Sequence, residues 1–419
     1  MIHDNSDFSN IQNLSSTDFM EMARLLVQTT VNDIMKTQAN VMCEENNVSL
    51  NGYRNRSLNL PFGNIEMQIP KLRMGTYFPD NIIERWSRTD KALAASIKEM
   101  YTKGLSTRKI QKLAESMGIE GISSSQVSRI VKGLDTEVDQ LRQHKFSHSS
   151  FHYMWLDATY IKCREDGRVK PKAVVTAIAV DNSGYKRFVG IECFDSESYY
   201  SWKTFLISLK QRGVSGVTCI TSDAHEGLKH AIQEVYPDAT WQRCIVHLER
   251  NIIGAMKNKK TRKAAAKVLK QVFSAKEPAL VRELYSLAAQ TLGEINKDAG
   301  KLMEEAEVDA LAYLDFPAQH HKRLRTNNVQ ERNNREIKRR SNVVQVFPSP
   351  ESMIRLVGAL CCEIDEEWSS RRYFQPEAFF ELSEVKAQVI ACEPDEQIVK
   401  TAQDIINLAL KVDDVRRIA

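Results

Sequence analysis

Between residues 153 and 247 the chain changes its hydrophobic rhythm, and that change limits the fold more than any other feature. Tyr153–Cys163 reads as a strand, and Asp166-Gly167 after it is a strong hairpin signal. Ala173–Val180 is almost wholly apolar, as a strand buried on both faces requires. Asn182-Ser183-Gly184 turns the chain into a third run, Tyr185–Phe194. A helix is predicted over about Ser198–Lys210, with Tyr199, Trp202, Phe205, Leu206 and Leu209 on one stripe. A strand at Val217–Thr221, a helix at Glu226–Val235 and a short strand at Thr240–Val246 follow. The order β-β-β-α-β-α-β predicts a mixed five-stranded sheet: antiparallel hairpins first, right-handed crossovers afterwards.

The flanks are helical. Residues 16–42 carry Phe19, Met22, Leu25, Leu26, Val31 and Met35 at helical spacing. Residues 50–79 are punctuated by Asn51-Gly52, Pro61, Gly63, Pro70, Gly75 and Pro79, with a strand-like alternation at 64–69. Helices resume over 81–141, broken at Gly104 and Gly118–Gly121, and again over 248–320 and 328–345. The 351–419 tail reads as mostly helical and acidic. No run approaches the roughly 18 apolar residues of a membrane span, and the first residues predict no signal peptide. Eight cysteines form no CxxC pair, which predicts a reducing cytosol.

The net charge of +4 hides opposed parts. Residues 257–270 hold seven bases and no acid, including Lys257, Lys259, Lys260, Arg262 and Lys263. Residues 322–340 hold eight bases and two acids, including Arg332, Arg335, Lys338, Arg339 and Arg340. Blocks of this kind are candidate phosphate contacts; a solvated helix face is the plainer reading. Residues 106–134 read as a helix-turn-helix: Ser106 caps one helix, Gly118 breaks it, and 123–134 forms the second. Arg108, Ser124, Ser125, Gln126, Ser128 and Arg129 are then the candidate DNA contacts.

Three carboxylates stand out. Asp157 interrupts the strand Tyr153–Cys163, where an ionised side chain needs a cation, a metal or an open edge. Asp223 ends the strand 217–222; alone it fits a capping box with Glu226. If the first and fourth strands are neighbours, the two carboxylates converge, and a divalent cation would relieve their repulsion. A third carboxylate is expected from the 328–340 helix, where spacing does not choose between Glu331 and Glu336. Cys244 and His247 form a lone CxxH pair, poor for zinc, which wants four ligands.

At this point the chain resembles the bacterial insertion-sequence transposases of the Mutator type. The resemblance spans roughly residues 50–350. It rests on Asn51-Gly-Tyr-Arg54, Ile69-Pro-Lys-Leu-Arg73, Gly104-Leu-Ser-Thr-Arg108, Gly121–Arg129, Leu156-Asp-Ala-Thr-Tyr160, Ser222–Leu228, Trp241–His247 and Asn328–Arg340, all in the family's order. Gln330 and Asn333 depart from it, falling where the family more often has apolar side chains. The resemblance implies an RNase H-like fold, a DDE triad of Asp157, Asp223 and Glu331 on two Mg²⁺ ions (Mn²⁺ substituting), and a helical insertion before Glu331. It also implies binding of terminal inverted repeats, hydrolysis at the element ends, and attack by the freed 3′-OH on another DNA strand. Cys244, His247, Trp241 and His225 are then expected to support the active site, Trp241 near distorted DNA.

The whole expectation is an α/β chain. An RNase H-like mixed five-stranded sheet forms the catalytic core, with an α-helical insertion. A mainly α-helical N-terminal region containing the helix-turn-helix precedes it. The expected divisions are 1–80, 81–145, 150–247 with 321–350, 248–320 as the insertion, and 351–419. Double-stranded DNA is the expected partner, a homodimer or larger assembly the expected state, and the nucleoid in the bacterial cytoplasm the expected place. The rivals are a nuclease of the same fold, a DNA-binding regulator without catalysis, and a zinc protein using Cys244 and His247.

Overall fold

The structure is a computed structural model that describes residues 16–83, 89–119, 121–147, 149–379 and 395–411. It divides into two compact units, Met1–Asp135 and Thr136–Ala419.

In the first unit, α1 (Ser16–Asn46) lies on an antiparallel hairpin of β1 (Leu50–Leu60) and β2 (Gly63–Leu72). Met35 and Ala39 of the helix pack against Ile65, Met67 and Ile69 of β2. Gln28 and Asn32 accept hydrogen bonds from the edge amides of Glu66 (2.9 Å) and Gln68 (2.8 Å), so this strand edge is not left bare. The sequence showed only the second strand. Most of β1 is exposed and polar, leaving no alternation to read, and Gly52 sits at a register shift inside the strand rather than in a turn.

Three short helices follow: α2 (Lys91–Thr102), α3 (Thr107–Ser116) and α4 (Ser124–Val131). Asp90, Ser106 and Ser123 cap them with side-chain oxygens. Ile110 and Ala114 of α3 and Val127 and Val131 of α4 are the buried faces. The last helix is shorter than the expected 123–134: Ser123 is its cap, and a single 3₁₀ turn, Lys132–Leu134, takes over.

The second unit opens with α5 (Asp135–Gln143) and the long strands β3 (Phe151–Glu165), β4 (Arg168–Asp181) and β5 (Lys186–Phe194). Next come α6 (Tyr199–Gln211), β6 (Cys219–Ser222), α7 (Glu226–Val235) and β7 (Thr240–Arg243). The sheet order is β5-β4-β3-β6-β7. The β3–β4 and β4–β5 pairs are antiparallel; β3–β6 and β6–β7 are parallel. The mixed five-stranded sheet is therefore as expected. Trp202, Phe205 and Leu206 of α6 and Leu228 and Ile232 of α7 bury one face against Met154, Leu156, Val175 and Ala177. Strand alternation sends Tyr153, Trp155 and Asp157 to the other face.

The last strand ends three residues before the expected Val246. Cys244 caps a new helix, α8 (Ile245–Ala255), so Cys244 is not a strand residue. Then follow α9 (Lys259–Ser274), α10 (Pro278–Ile295), α11 (Lys297–Leu311) and the short α12 (His321–Leu324). After them, α13 (Asn328–Val344) crosses back to β3, and α14 (Pro350–Ser369) packs on β5 and α13. The final helix, α15 (Glu396–Lys411), packs on α9 and α10. Among the described residues no helix is long and apolar enough to cross a membrane.

Gly184 pins the segment after α14 to the start of β5. Its φ is +84°, its carbonyl accepts from the amides of Tyr373 (2.7 Å) and Phe374 (3.1 Å), and an added Cβ would lie 2.0 Å from the Phe374 oxygen. Gly184→Ala should therefore destabilise the fold by more than about 1 kcal/mol. Urea unfolding of the two chains checks this.

Candidate active site

Parallel pairing sets Trp155 opposite Thr221, which brings Asp157 level with Asp223, the first residue beyond β6. Asp157 is half-buried. One of its oxygens accepts from the Ala158 amide (2.8 Å), the other from the Asn334 side chain (2.7 Å). Burial first, and then the charge of Asp223, lift its pKa to about 7. The carboxylate of Glu197, in the loop before α6, adds to the lift. That loop residue lacked any pattern in the sequence. Its own pKa is raised by burial and then, against the charge of His225, by Asp223.

Asp223 does not cap α7. His225 takes that place, its Nδ1 accepting from the Leu228 amide (3.3 Å). His225 is thus a cap, and Asp223 is left to face the cluster.

The third carboxylate is positioned by the buried face of α13. The Gln330 amide donates to the carbonyls of Trp155 (2.8 Å) and Thr176 (3.2 Å), and its oxygen accepts from the Thr176 hydroxyl (3.0 Å). Asn327 donates to the Leu156 carbonyl (2.9 Å). The Gln330 plug explains why that position is not apolar here, since it is buried and pairs with backbone groups of β3 and β4; Asn333 is also buried, but its amide nitrogen has no partner among the described residues that would explain it. The helix consequently turns Glu331 toward α8. Its Oε1 lies 2.8 Å from Arg250 and 3.8 Å from His247 Nε2. Glu336 points elsewhere and pairs with Arg339 at 2.9 Å. Geometry therefore separates the two glutamates that spacing left equal.

His247 sits between the carboxylates, with Nδ1 against Asp223 and Nε2 toward Glu331. Burial alone would lower its pKa; pairing with Asp223, with Cys244 beside it, outweighs that and raises it to about 10. His247 and Arg250 are the positive counterweights of the cluster. Cys244 plays a different part. It is buried, and its Sγ accepts from the Asn327 amide (3.2 Å), tying α8 to the approach of α13. The ligand atoms of Asp223, Cys244 and His247 all lie within 4.8 Å of one another. In a His247→Ala chain the Asp223 and Glu331 carboxylates would lose the cation that stands between them.

Trp241 is a core residue rather than one waiting for DNA. It is buried, donates to the Ser222 hydroxyl (2.9 Å), and packs under Lys229 and Arg243. Among the candidate DNA contacts, Arg108, Ser125, Ser128 and Arg129 are exposed, while Ser124 and Gln126 are half-buried. Lys257, Lys259, Lys260, Arg262, Lys263, Arg332, Arg335, Lys338 and Arg339 lie at or near the surface. Arg340 is the exception: it is buried and ion-paired to Glu363 at 2.9 Å, so it holds α13 to α14 and is not free for a phosphate.

Asp157 on the central strand, Asp223 just beyond its neighbour β6 and Glu331 on α13 thus gather on one side of the mixed sheet, with His247 between Asp223 and Glu331. Residues 2–371 match the family described as Transposase, Mutator family, and the chain belongs to that family. It is 34% identical over 362 residues to the transposase for insertion sequence element IS1081 of Mycobacterium tuberculosis, covering 84% of this chain and 87% of that one. To the transposase for insertion sequence element IS406 of Burkholderia multivorans it is 38% identical over 329 residues, covering 77% and 83%. To the transposase for insertion sequence element IS256 in transposon Tn4001 of Staphylococcus aureus it is 33% identical over 365 residues, covering 84% and 93%.

Proposed function

We propose that this chain cuts DNA at the ends of an insertion sequence and joins the freed 3′-OH to another strand. Asp157, Asp223 and Glu331 are its catalytic triad and the holders of two Mg²⁺ ions. The observation that carries the reading is the convergence of these three carboxylates, from β3, the end of β6 and α13, around His247. The sheet order and its strand directions support an RNase H-like core.

The residues fit such ions. Asp223 Oδ1 and Glu331 Oε1 are buried and accept no well-formed hydrogen bond, although each has a cation beside it. Carboxylate oxygens with free lone pairs are the donors that Mg²⁺ prefers. Bound there, such ions would neutralise the attacking and leaving oxygens of a phosphodiester. The chain's own part is positioning. Asn334 fixes one oxygen of Asp157, the Gln330 plug sets the rotation of α13, and His247 with Arg250 keeps Asp223 and Glu331 from repelling each other. In the first unit, α3 and α4 serve as a helix-turn-helix that reads the terminal inverted repeats, with Arg108, Ser125, Ser128 and Arg129 outward. Two ends must meet, so the working state is a dimer or larger.

The test is to incubate the protein with Mg²⁺ (or Mn²⁺) and labelled end DNA and to map the nicked strand. A single 3′-OH cut at the element end, followed by joining, supports the proposal; the absence of any metal-dependent nick contradicts it. A second reading, a structural zinc, is favoured only by the Asp223–Cys244–His247 grouping. One zinc per purified chain would support it, whereas three protein donors and an Asn327 bond on the sulfur argue against it.

A further inference from the structure

A second cluster of cations lies on the same unit, beside the carboxylates but separate from them. The Lys186 ammonium stands 3.9 Å over the ring of Trp368 and 4.9 Å over that of Tyr373. Arg323 lies 4.8 Å over both Tyr373 and Phe374, and Arg372 lies 5.5 Å over Tyr185. Arg332, next to Glu331, completes the group: its charge and that of Arg323 act on Lys186. The rings are fixed in turn. Trp368 stacks on Phe188 (5.1 Å), Tyr373 meets Trp155 edge-on (5.9 Å), and Trp155 donates to the Arg323 carbonyl (3.3 Å).

The choice of partners is the informative point. Among the described residues, none of Lys186, Arg323, Arg332 and Arg372 forms an ion pair with a carboxylate. The charge of Arg332 is felt by Glu336, but that carboxylate is engaged by Arg339. A carboxylate would hold a cation and cancel its field. An aromatic face holds it and leaves the field and the N–H donors outward. Lys186, Arg323 and Arg372 are held over rings and Arg332 stands near them on α13; like charges so placed repel one another, and the fold itself gains nothing from the surplus. Burial, with Arg332 and Arg323 nearby, pushes the Lys186 ammonium down to about 8, the behaviour of a cation lacking an anion.

We infer that Lys186, Arg323, Arg332 and Arg372 form a preorganised cradle for the phosphodiester backbone of the DNA strand that reaches the carboxylate site. The ring faces of Tyr373 are already occupied by Lys186 and Arg323, so the cradle reads phosphates and not bases. Strand β3 and helix α13 carry both features: Trp155 and Asp157 on one, Arg332 and Glu331 on the other. This inference rests on the proposed function for the identity of the polyanion.

The experiment uses the full chain carrying Asp157→Asn, so that no cleavage intervenes. Binding of a fluorescent end duplex is followed by anisotropy over a salt series. Adding Arg323→Gln, Arg332→Gln and Arg372→Gln together should weaken binding by roughly 10- to 100-fold and flatten the slope of log K against log salt by about 2 to 3. A random duplex of equal length should lose affinity by the same factor, because phosphate contacts carry no sequence. The triple Arg→Lys chain should keep most of the slope, which separates lost charge from lost structure. An unchanged slope in a Gln triple that melts as the parent does would overturn the cradle. Nicking by the chain with Asp157 intact is scored separately. A failed cradle with intact nicking, and a failed nick with an intact cradle, are therefore distinct results.

Discussion

Asp157→Asn is expected to lower Mg²⁺-dependent cleavage of end DNA by roughly 10³-fold or more while leaving binding intact. The substitution keeps the size of the side chain, and its oxygen still accepts from the Ala158 amide (2.8 Å in the wild-type chain). What it removes is a charge proposed to hold the ions, and its nitrogen takes the place of the oxygen that accepts from Asn334. The same variant should be more stable than wild type when metal is absent. The Asp157 pKa is raised to about 7, chiefly by burial and then by Asp223. An unfolded aspartate titrates near about 4. Its protonated form therefore contributes stability below about pH 4, and that contribution is lost as pH rises to about 7. Asn has no such loss. At about pH 8 in a chelator the variant should melt higher than wild type, and the gap should close by about pH 4. Equal melting across that range would show that the carboxylate is not strained by its neighbours.

Glu331→Gln is the second large effect, and its meaning lies in the contrast with Glu336→Gln. Both glutamates lie on one helix within five positions. Glu331 is a quarter exposed on its side chain and faces His247 and Arg250. Glu336 is a more exposed partner of Arg339 at 2.9 Å. The first change should cost roughly 10³-fold in nicking. The second removes a surface ion pair and should stay within about 3-fold. Single-turnover nicking of both variants decides the assignment: similar losses in the two would mean the helix has been read in the wrong rotation.

Much of the core was legible because it obeys simple periods. The apolar run 173–180 can only be a doubly buried strand, the turns at 166–167 and 182–184 are strong, and α7 fell on the expected residues 226–235. Charge in an apolar strand made Asp157 visible, and parallel pairing of the first and fourth strands then placed Asp223 beside it. What was not legible depends on contacts distant in sequence. The hairpin strand β1 is polar because its support comes from one short buried end, Leu58–Leu60. Glu197 sits in a loop, and Asn334 acts 177 positions from Asp157, so neither spacing nor composition could find them. Trp241 was expected near DNA only beside the family-matched Cys244 and His247, but its indole is held by Ser222 beneath Lys229. Arg340 was misplaced for a similar reason: a count of bases does not show that one of them is buried against Glu363.

The most direct test of the central claim is a change of metal preference at the third carboxylate. Glu331→Cys replaces a hard oxygen donor with a soft thiolate, which Mg²⁺ binds poorly and Mn²⁺ accepts better. End-DNA nicking is measured in each metal, with Glu336→Cys as the companion. The account predicts that Glu331→Cys is inactive in Mg²⁺ and recovers a measurable part of its cleavage in Mn²⁺, while Glu336→Cys nicks in both. Full Mg²⁺ activity in Glu331→Cys, or a metal-dependent rescue that appears at Glu336 instead, would contradict it.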